Sequence, residues 1–202
     1  KQLTRERDQL IIERTYSKNQ LHAEKSEALP NPSAIRRVNE RIKLLNKQEK
    51  QITNEIESLI HADKQVKNSV DLICSIPGIG IVTAAIVLAE TNGFELITNR
   101  RQLASYAGFD IKEKQSGTSI KGKSRISKKG NKFLRKAMYM PSLSAIQCDS
   151  RARTTFSRLV SRHGIKMKAG IAVQRKLLEM TFTIFKTRRP YDKNFLQKTN
   201  LE

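Results

Sequence analysis

Tryptophan is absent from the 202 residues, aromatic side chains make up 5% of them, and only two cysteines and three histidines occur. Cys74 and Cys148 stand far apart, with no CxxC pair and no Cys/His cluster, so neither a disulfide framework nor a zinc site is indicated. That usage fits a reducing cytoplasm. No apolar run approaches the roughly 18 residues that a membrane span requires, and the start carries no signal-peptide pattern. No membrane is therefore expected. The first residue is Lys1 rather than Met, which suggests a piece of a longer protein. Acidic residues are scarce as well: 19 Asp+Glu face 39 Lys+Arg, for a net charge of +20. A balance of that size points to a polyanionic partner, with nucleic acid first among the choices. A hydrophobic content of 38% suffices for a modest helical core in one or two domains.

The charge is unevenly spread. Residues 1–61 carry 12 Lys+Arg against 9 Asp+Glu, and residues 62–202 carry 27 against 10. Different roles are expected for the two parts, a 1–61 coiled coil and a 62–202 globular domain. In the first, Ile35, Val38, Ile42, Leu45, Ile52, Ile56 and Leu59 follow a 3/4 spacing broken only by Glu49, the pattern of a coiled-coil helix. Pro30 and Pro32 interrupt the chain before it, and Ser33 is the expected N-cap. Residues 2–28 read as a partner helix of similar length, about 40 Å at 1.5 Å per residue, with a weaker seam at Leu3, Leu10 and Leu21. An antiparallel hairpin is the simpler reading, and a coil that joins two chains is its alternative.

Beyond residue 62 the apolar pattern predicts short helices, so the fold class is mainly α. The string Cys74-Ser75-Ile76-Pro77-Gly78-Ile79-Gly80-Ile81-Val82-Thr83 has the form of a helix-hairpin-helix turn. Gly78 and Gly80 allow a backbone to approach phosphate, and the amides near Thr83 open a helix that faces the anion. The competing reading is an ordinary tight turn between core helices. Asn99 and Gln102 resemble a capping box for a short helix closed by Gly108. Residues 112–136 hold ten basic residues and one acid, and their first half should form a basic loop or a short β-hairpin. Helices are expected again at 130–147, 151–163 and 167–187, with Pro190 as the stop.

Within the basic stretch, Gln115-Ser116-Gly117-Thr118-Ser119 precedes Lys121, Lys123, Arg125, Lys128, Lys129, Asn131 and Arg135. A serine hydroxyl attacks a phosphate only if a base takes its proton or cations stabilise the developing charge. On residue type alone the segment reads as a phosphate-binding loop. His22, His61 and His163 are isolated, and Arg188, Arg189 and Tyr191 read as a solvated tail as readily as a phosphate contact.

Residues 76–90, Arg101-Gln102-Leu103-Ala104-Ser105-Tyr106-Ala107-Gly108, Gln115-Ser116-Gly117, Ser127-Lys128-Lys129-Gly130-Asn131, Leu134-Arg135 and Lys176-Leu177-Leu178 together are similar to one known pattern. The set resembles the C-terminal domain of the DEDD-type insertion-sequence transposases, the IS-one-ten and IS-eleven-eleven group of bridge-RNA-guided recombinases. It spans residues 62–192, and the upstream hairpin resembles that family's coiled coil. The resemblance implies a serine nucleophile at Ser116, with Ser119 in reserve, that joins DNA covalently and releases a 3′-hydroxyl. It implies Mg2+ held by four acidic residues of an N-terminal domain that this chain lacks, so no metal is expected here and the fragment alone should be inactive. It also implies donor and target DNA, a guide RNA, a homo-oligomer and a bacterial or archaeal cytoplasm close to the nucleoid. Two rival readings are a non-catalytic helix-hairpin-helix module that binds nucleic acid, and a coiled-coil scaffold. The scaffold is disfavoured because the charge excess lies outside the coil.

Overall fold

The computed structural model describes residues 1–112, 115–116, 120–121 and 125–193. Among them, eight helices and two two-stranded ladders occur, so the chain is mainly α as its periodicity predicts. It divides into two compact units, Lys1–Asp63 and Lys64–Glu202.

The first unit is a helical hairpin of α1 (Gln2–Ser26) and α2 (Pro32–Ala62). Its antiparallel register is fixed by cross-helix bonds: Arg7 meets Glu49 at 2.8 Å and Thr53 at 3.2 Å, Arg14 meets Asn46 at 3.0 Å, and Arg41 meets Gln20 at 3.3 Å. Arg14 also pairs with the second oxygen of Glu49. On α2 the buried seam is Val38, Leu45, Ile52, Ile56 and Ile60. It ends on Ile60 rather than the expected Leu59, which is 57% exposed, because the last steps along the helix are four residues each. The α1 seam runs through Leu3, Arg7, Leu10, Arg14, Ser17 and Leu21, a heptad spacing with cations at two of its positions. Those arginines are what the gap at Glu49 receives. The N-cap of α2 is Asn31, whose Oδ1 accepts from the amides of Ser33 and Ala34, and not Ser33. Pro32 occupies the first helical position, where its missing N–H costs nothing.

The second unit comprises α3 (Lys64–Cys74), α4 (Ile81–Thr91), α5 (Arg100–Ala107), α6 (Lys132–Cys148), α7 (Ser150–His163) and α8 (Lys166–Thr187). Helix α8 packs on α3, α5, α6 and α7, and its buried Val173, Leu178 and Phe182 share the core with Ile73, Val87, Leu103, Leu134 and Met138. Phe94 is fully buried, edge-on to Phe182 with centroids 5.5 Å apart. Asn99 caps α5 by accepting from the Gln102 amide at 2.8 Å, while the Gln102 side chain accepts from the Thr98 amide at 2.8 Å. Gly108 and Gly164 close α5 and α7 in the left-handed conformation that glycine adopts without strain. Helix α8 ends on Arg188, whose φ is 53°, before Pro190 is reached.

Between α5 and α6 lie four two-residue strands: β1 (Ile111–Lys112), β2 (Gln115–Ser116), β3 (Ile120–Lys121) and β4 (Arg125–Ile126). The outer pair β1–β4 sets Ile111 opposite Ile126, and the inner pair β2–β3 sets Ser116 opposite Ile120. The expected basic hairpin is thus two nested antiparallel ladders.

Candidate nucleic-acid interface

The turn between α3 and α4 begins where Ser75 folds back on Leu72 and ends at Gly80, the N-cap of α4. Its two glycines have different surroundings. Gly78 has a φ of 90°, and a Cβ added to it would stand 2.6 Å from the carbonyl oxygen of Pro141 and 2.9 Å from the amide of Ala145. Its glycine is thus demanded by backbone conformation and by the close passage of α6, and the tight-turn reading accounts for it in full. Gly80 faces open space, with nothing within 4 Å of an added Cβ. No side chain caps α4 there, and Thr83 is half-buried in its first turn. The amides that open α4 are therefore left for solvent or an anion.

The base of the ladders is a narrow neck. The amide of Ser127 donates to the carbonyl of Asp110 at 2.7 Å, its hydroxyl donates to the Asp110 carboxyl at 3.1 Å, and the Lys128 amide donates to the Gly108 carbonyl at 3.2 Å. Gly108 and Gly130 allow this closeness: a Cβ on Gly108 would lie 2.6 Å from the Lys129 carbonyl, and one on Gly130 would overlap the Tyr106 carbonyl. Lys128 has a φ of 54°, which turns the chain sharply and leaves Lys128 and Lys129 exposed beside exposed Arg125 and Lys132. These cations fall within eight residues, from the outer ladder to the start of α6. Ser116 and Lys121 belong to the inner ladder, in β2 and β3. Gly117, Ser119 and Lys123 lie outside the described residues.

Two of the expected contacts are occupied within the fold. Asn131 is the N-cap of α6: its Oδ1 accepts from the amides of Phe133 and Leu134, at 2.9 and 3.2 Å, and its Nδ2 donates to Glu90 at 2.7 Å. Arg135 donates to the Ala107 carbonyl at 2.6 Å and so satisfies the end of α5. A capping asparagine and a basic residue four positions on look the same in sequence as two phosphate ligands. Glu90 itself, 2% exposed, went unnoticed; an isolated acid near the end of the apolar α4 was the available signal.

At the other end of the unit, Tyr191 is fastened to the turn and not left as a tail. Its amide donates to the Ser75 hydroxyl and its own hydroxyl donates to Asp149, both at 2.9 Å. Burial, and then the bond to the Asp149 carboxyl, push the Tyr191 phenol up to about 12. Burial followed by the nearby Asp71 likewise raises the Cys74 thiol. Among the described residues no three His, Cys, Asp or Glu side chains gather in a way that would hold a metal ion, and no helix is long and apolar enough to cross a membrane.

Residues 70–157 match the family model described as Transposase IS116/IS110/IS902 family, a stretch that contains the turn, the neck, both ladders and α6. The pilin gene-inverting protein of Moraxella bovis is 32% identical over 144 residues, which are 71% of this chain and 45% of that protein. The pilin gene-inverting protein of Moraxella lacunata matches to the same extent. An uncharacterized 43.6 kDa protein of insertion element IS110 from Streptomyces coelicolor is 28% identical over 131 residues, 65% of this chain and 32% of that protein. The chain therefore spans less than half the length of these relatives.

Proposed function

We propose that this chain is the DNA-handling part of a transposase or recombinase, and that Ser116 is its nucleophile. The observation that carries the reading is that the family match covers β2, the strand that ends on Ser116, in a hairpin whose braced neck carries exposed Arg125, Lys128 and Lys129. In this reading the open amides at Gly80 hold the phosphate backbone without reading sequence. The Ser116 oxygen attacks a DNA phosphorus, the bond to the 3′-oxygen breaks, and that oxygen leaves as a 3′-hydroxyl while the serine loses its proton. The phosphodiester is conserved as a serine ester, which a second 3′-hydroxyl resolves when the strands rejoin. The cations at the neck offset the charge that builds on the phosphate. Mg2+ belongs to an acidic domain outside this chain, supplied by the same or another protomer of a homo-oligomer, and a guide RNA selects the donor and target DNA.

A second reading has its own support. In a module that only binds nucleic acid, the open amides of α4 and the exposed Arg125, Lys128 and Lys129 would hold phosphate with no step at Ser116. One comparison separates the two in the full-length protein with metal and guide RNA. Ser116→Ala should leave DNA affinity nearly unchanged, since one neutral hydroxyl contributes little beside so many cations, and should abolish any protein–DNA adduct that survives denaturation. Ser119→Ala should do much less. If the adduct persists with Ala at 116 and vanishes with Ala at 119, the nucleophile is misassigned; if neither change matters, the loop is a phosphate clamp.

A further inference from the structure

Beneath the neck, three hydrogen bonds close a ring among residues distant in sequence. Asn131 donates from its side chain to the Glu90 carboxyl at 2.7 Å, the Asn131 amide donates to the Tyr106 carbonyl at 2.8 Å, and the Tyr106 hydroxyl donates to the Glu90 carbonyl at 3.0 Å. The ring ties the end of α4 to α5, where the chain enters the basic hairpin, and to the first residue before α6, where it leaves. Glu90 is the only member whose side chain is almost wholly removed from solvent, at 2% exposure. Removing a carboxyl group from water is costly unless hydrogen bonds compensate it, and the Asn131 side chain supplies one. Helix α4 does not require it: the helix ends on Asn92 in the left-handed conformation, with its own backbone cap.

We propose that Glu90 is a positioning residue for the Ser116 hairpin. Through Asn131 its carboxyl holds the two ends of the 110–127 segment at one separation, and so sets where β2 presents Ser116 relative to a phosphate held by the rest of the unit. The proposal rests on Ser116 being the reacting group. It assigns Glu90 no contact with DNA.

The test is an exchange of partners. Asn131→Asp keeps the Oδ1 acceptor that caps α6 but sets two acceptors against each other at Glu90. Adding Glu90→Gln restores a bond of reversed direction, from the new amide to the new carboxyl. In this chain, Asn131→Asp should speed hydrogen exchange at the amides of residues 127 and 131 by about tenfold, the worth of one hydrogen bond to a charged group, with core amides such as that of Leu178 unmoved. In the full-length protein the same change should cut covalent adduct by about tenfold at unchanged DNA affinity, and the double variant should recover both measures. Glu90→Gln alone, which still accepts from Asn131, should stay near the parent. The proposal is overturned if the double variant fails to recover, if affinity and adduct fall in proportion, or if exchange at the neck does not change. Failure of the Ser116 assignment shows itself separately, as adduct that survives Ser116→Ala while the exchange pattern at the neck still responds to the swap.

Discussion

The two units place their polar groups at opposite points of their architecture. In the hairpin of α1 and α2, charge sits in the seam itself: Arg7 and Arg14 converge on Glu49, with side chains 22%, 24% and 15% exposed. Those ions connect residues on facing heptad positions, where they fix the register of two helices that apolar contacts alone would let slide. In the second unit the core is mostly apolar, and the buried Glu90 carboxyl lies under one loop, where it joins Asn131 across 41 residues. One arrangement specifies a partner helix, and the other specifies the shape of a surface feature. The coil's ions align two helices, and the bond between Glu90 and Asn131 braces the base of a loop.

The largest expected effect tests whether nucleic-acid binding follows that division. With some six to ten phosphate contacts, affinity should fall by about a thousandfold or more between 50 and 200 mM salt. Replacing Lys128 or Lys129 with Gln should each lower the slope of log affinity against log salt by about 1, whereas Lys43→Gln and Lys47→Gln in the coil should leave it unchanged. A titration in which salt has no effect, or in which the coil variants carry the change, breaks the comparison.

Next in size is the contrast between the two glycines of the turn. Gly78→Val adds bulk 2.6 Å from a backbone oxygen at a φ of 90°, so it should cost roughly 3–5 kcal/mol in a denaturant melt. A Cβ at Gly80 would meet nothing within 4 Å, so Gly80→Val should cost only about 1 kcal/mol, the loss of an N-cap glycine, while binding DNA more weakly. If Gly80→Val keeps full affinity with an intact fold by circular dichroism, the turn serves packing alone.

These contrasts also show where the sequence was legible. The α2 heptad, the 76–80 turn and the helix ends at Gly108 and Gly164 were readable because each signal lies within a few residues. The α1 seam was readable only in part, at Leu3, Leu10 and Leu21, because Arg7 and Arg14 fill seam positions that apolar spacing passes over. Asn31 was overlooked as a cap because the serine two residues on is an equally good capping type. At the site, the cations of the basic stretch and the hairpin that bears Ser116 could be anticipated, since composition and turn residues are local. The roles of Asn131, Arg135 and Glu90 could not, because they depend on which carbonyl or carboxyl lies across a fold that brings 90, 107 and 131 together.

A smaller effect is expected in the coil. Ile52 is 7% exposed on the α2 seam, and Ile52→Asp should cost about 2–4 kcal/mol because the charge loses its solvation there. The hairpin register predicts a melting midpoint that does not depend on protein concentration. A midpoint that rises with concentration would mean that the seam joins chains.

The smallest effect concerns Tyr191, whose bonds to Ser75 and Asp149 span 116 and 42 residues. Its phenol is raised from 10.0 to about 12 in the folded chain, so folding favours the protonated form. The resulting stability is complete below pH 10, where folded and unfolded tyrosine are both neutral. It is lost as the pH rises from about 10 to about 12, because the unfolded phenol ionises first and pulls the equilibrium toward unfolding. Tyr191→Phe removes the hydroxyl and with it this dependence, while the backbone bond to Ser75 remains. At pH 8 the variant should therefore be less stable by at most about 1 kcal/mol, the net value of one partly exposed hydrogen bond. Melting both proteins across the alkaline range should show that gap closing between pH 10 and 12. Lysines titrate in the same window, but they do so in both proteins, so only the difference reports on Tyr191. A gap that stays constant with pH would mean that Asp149 does not hold the phenol, and that the turn is fastened at this end by the Ser75 bond alone.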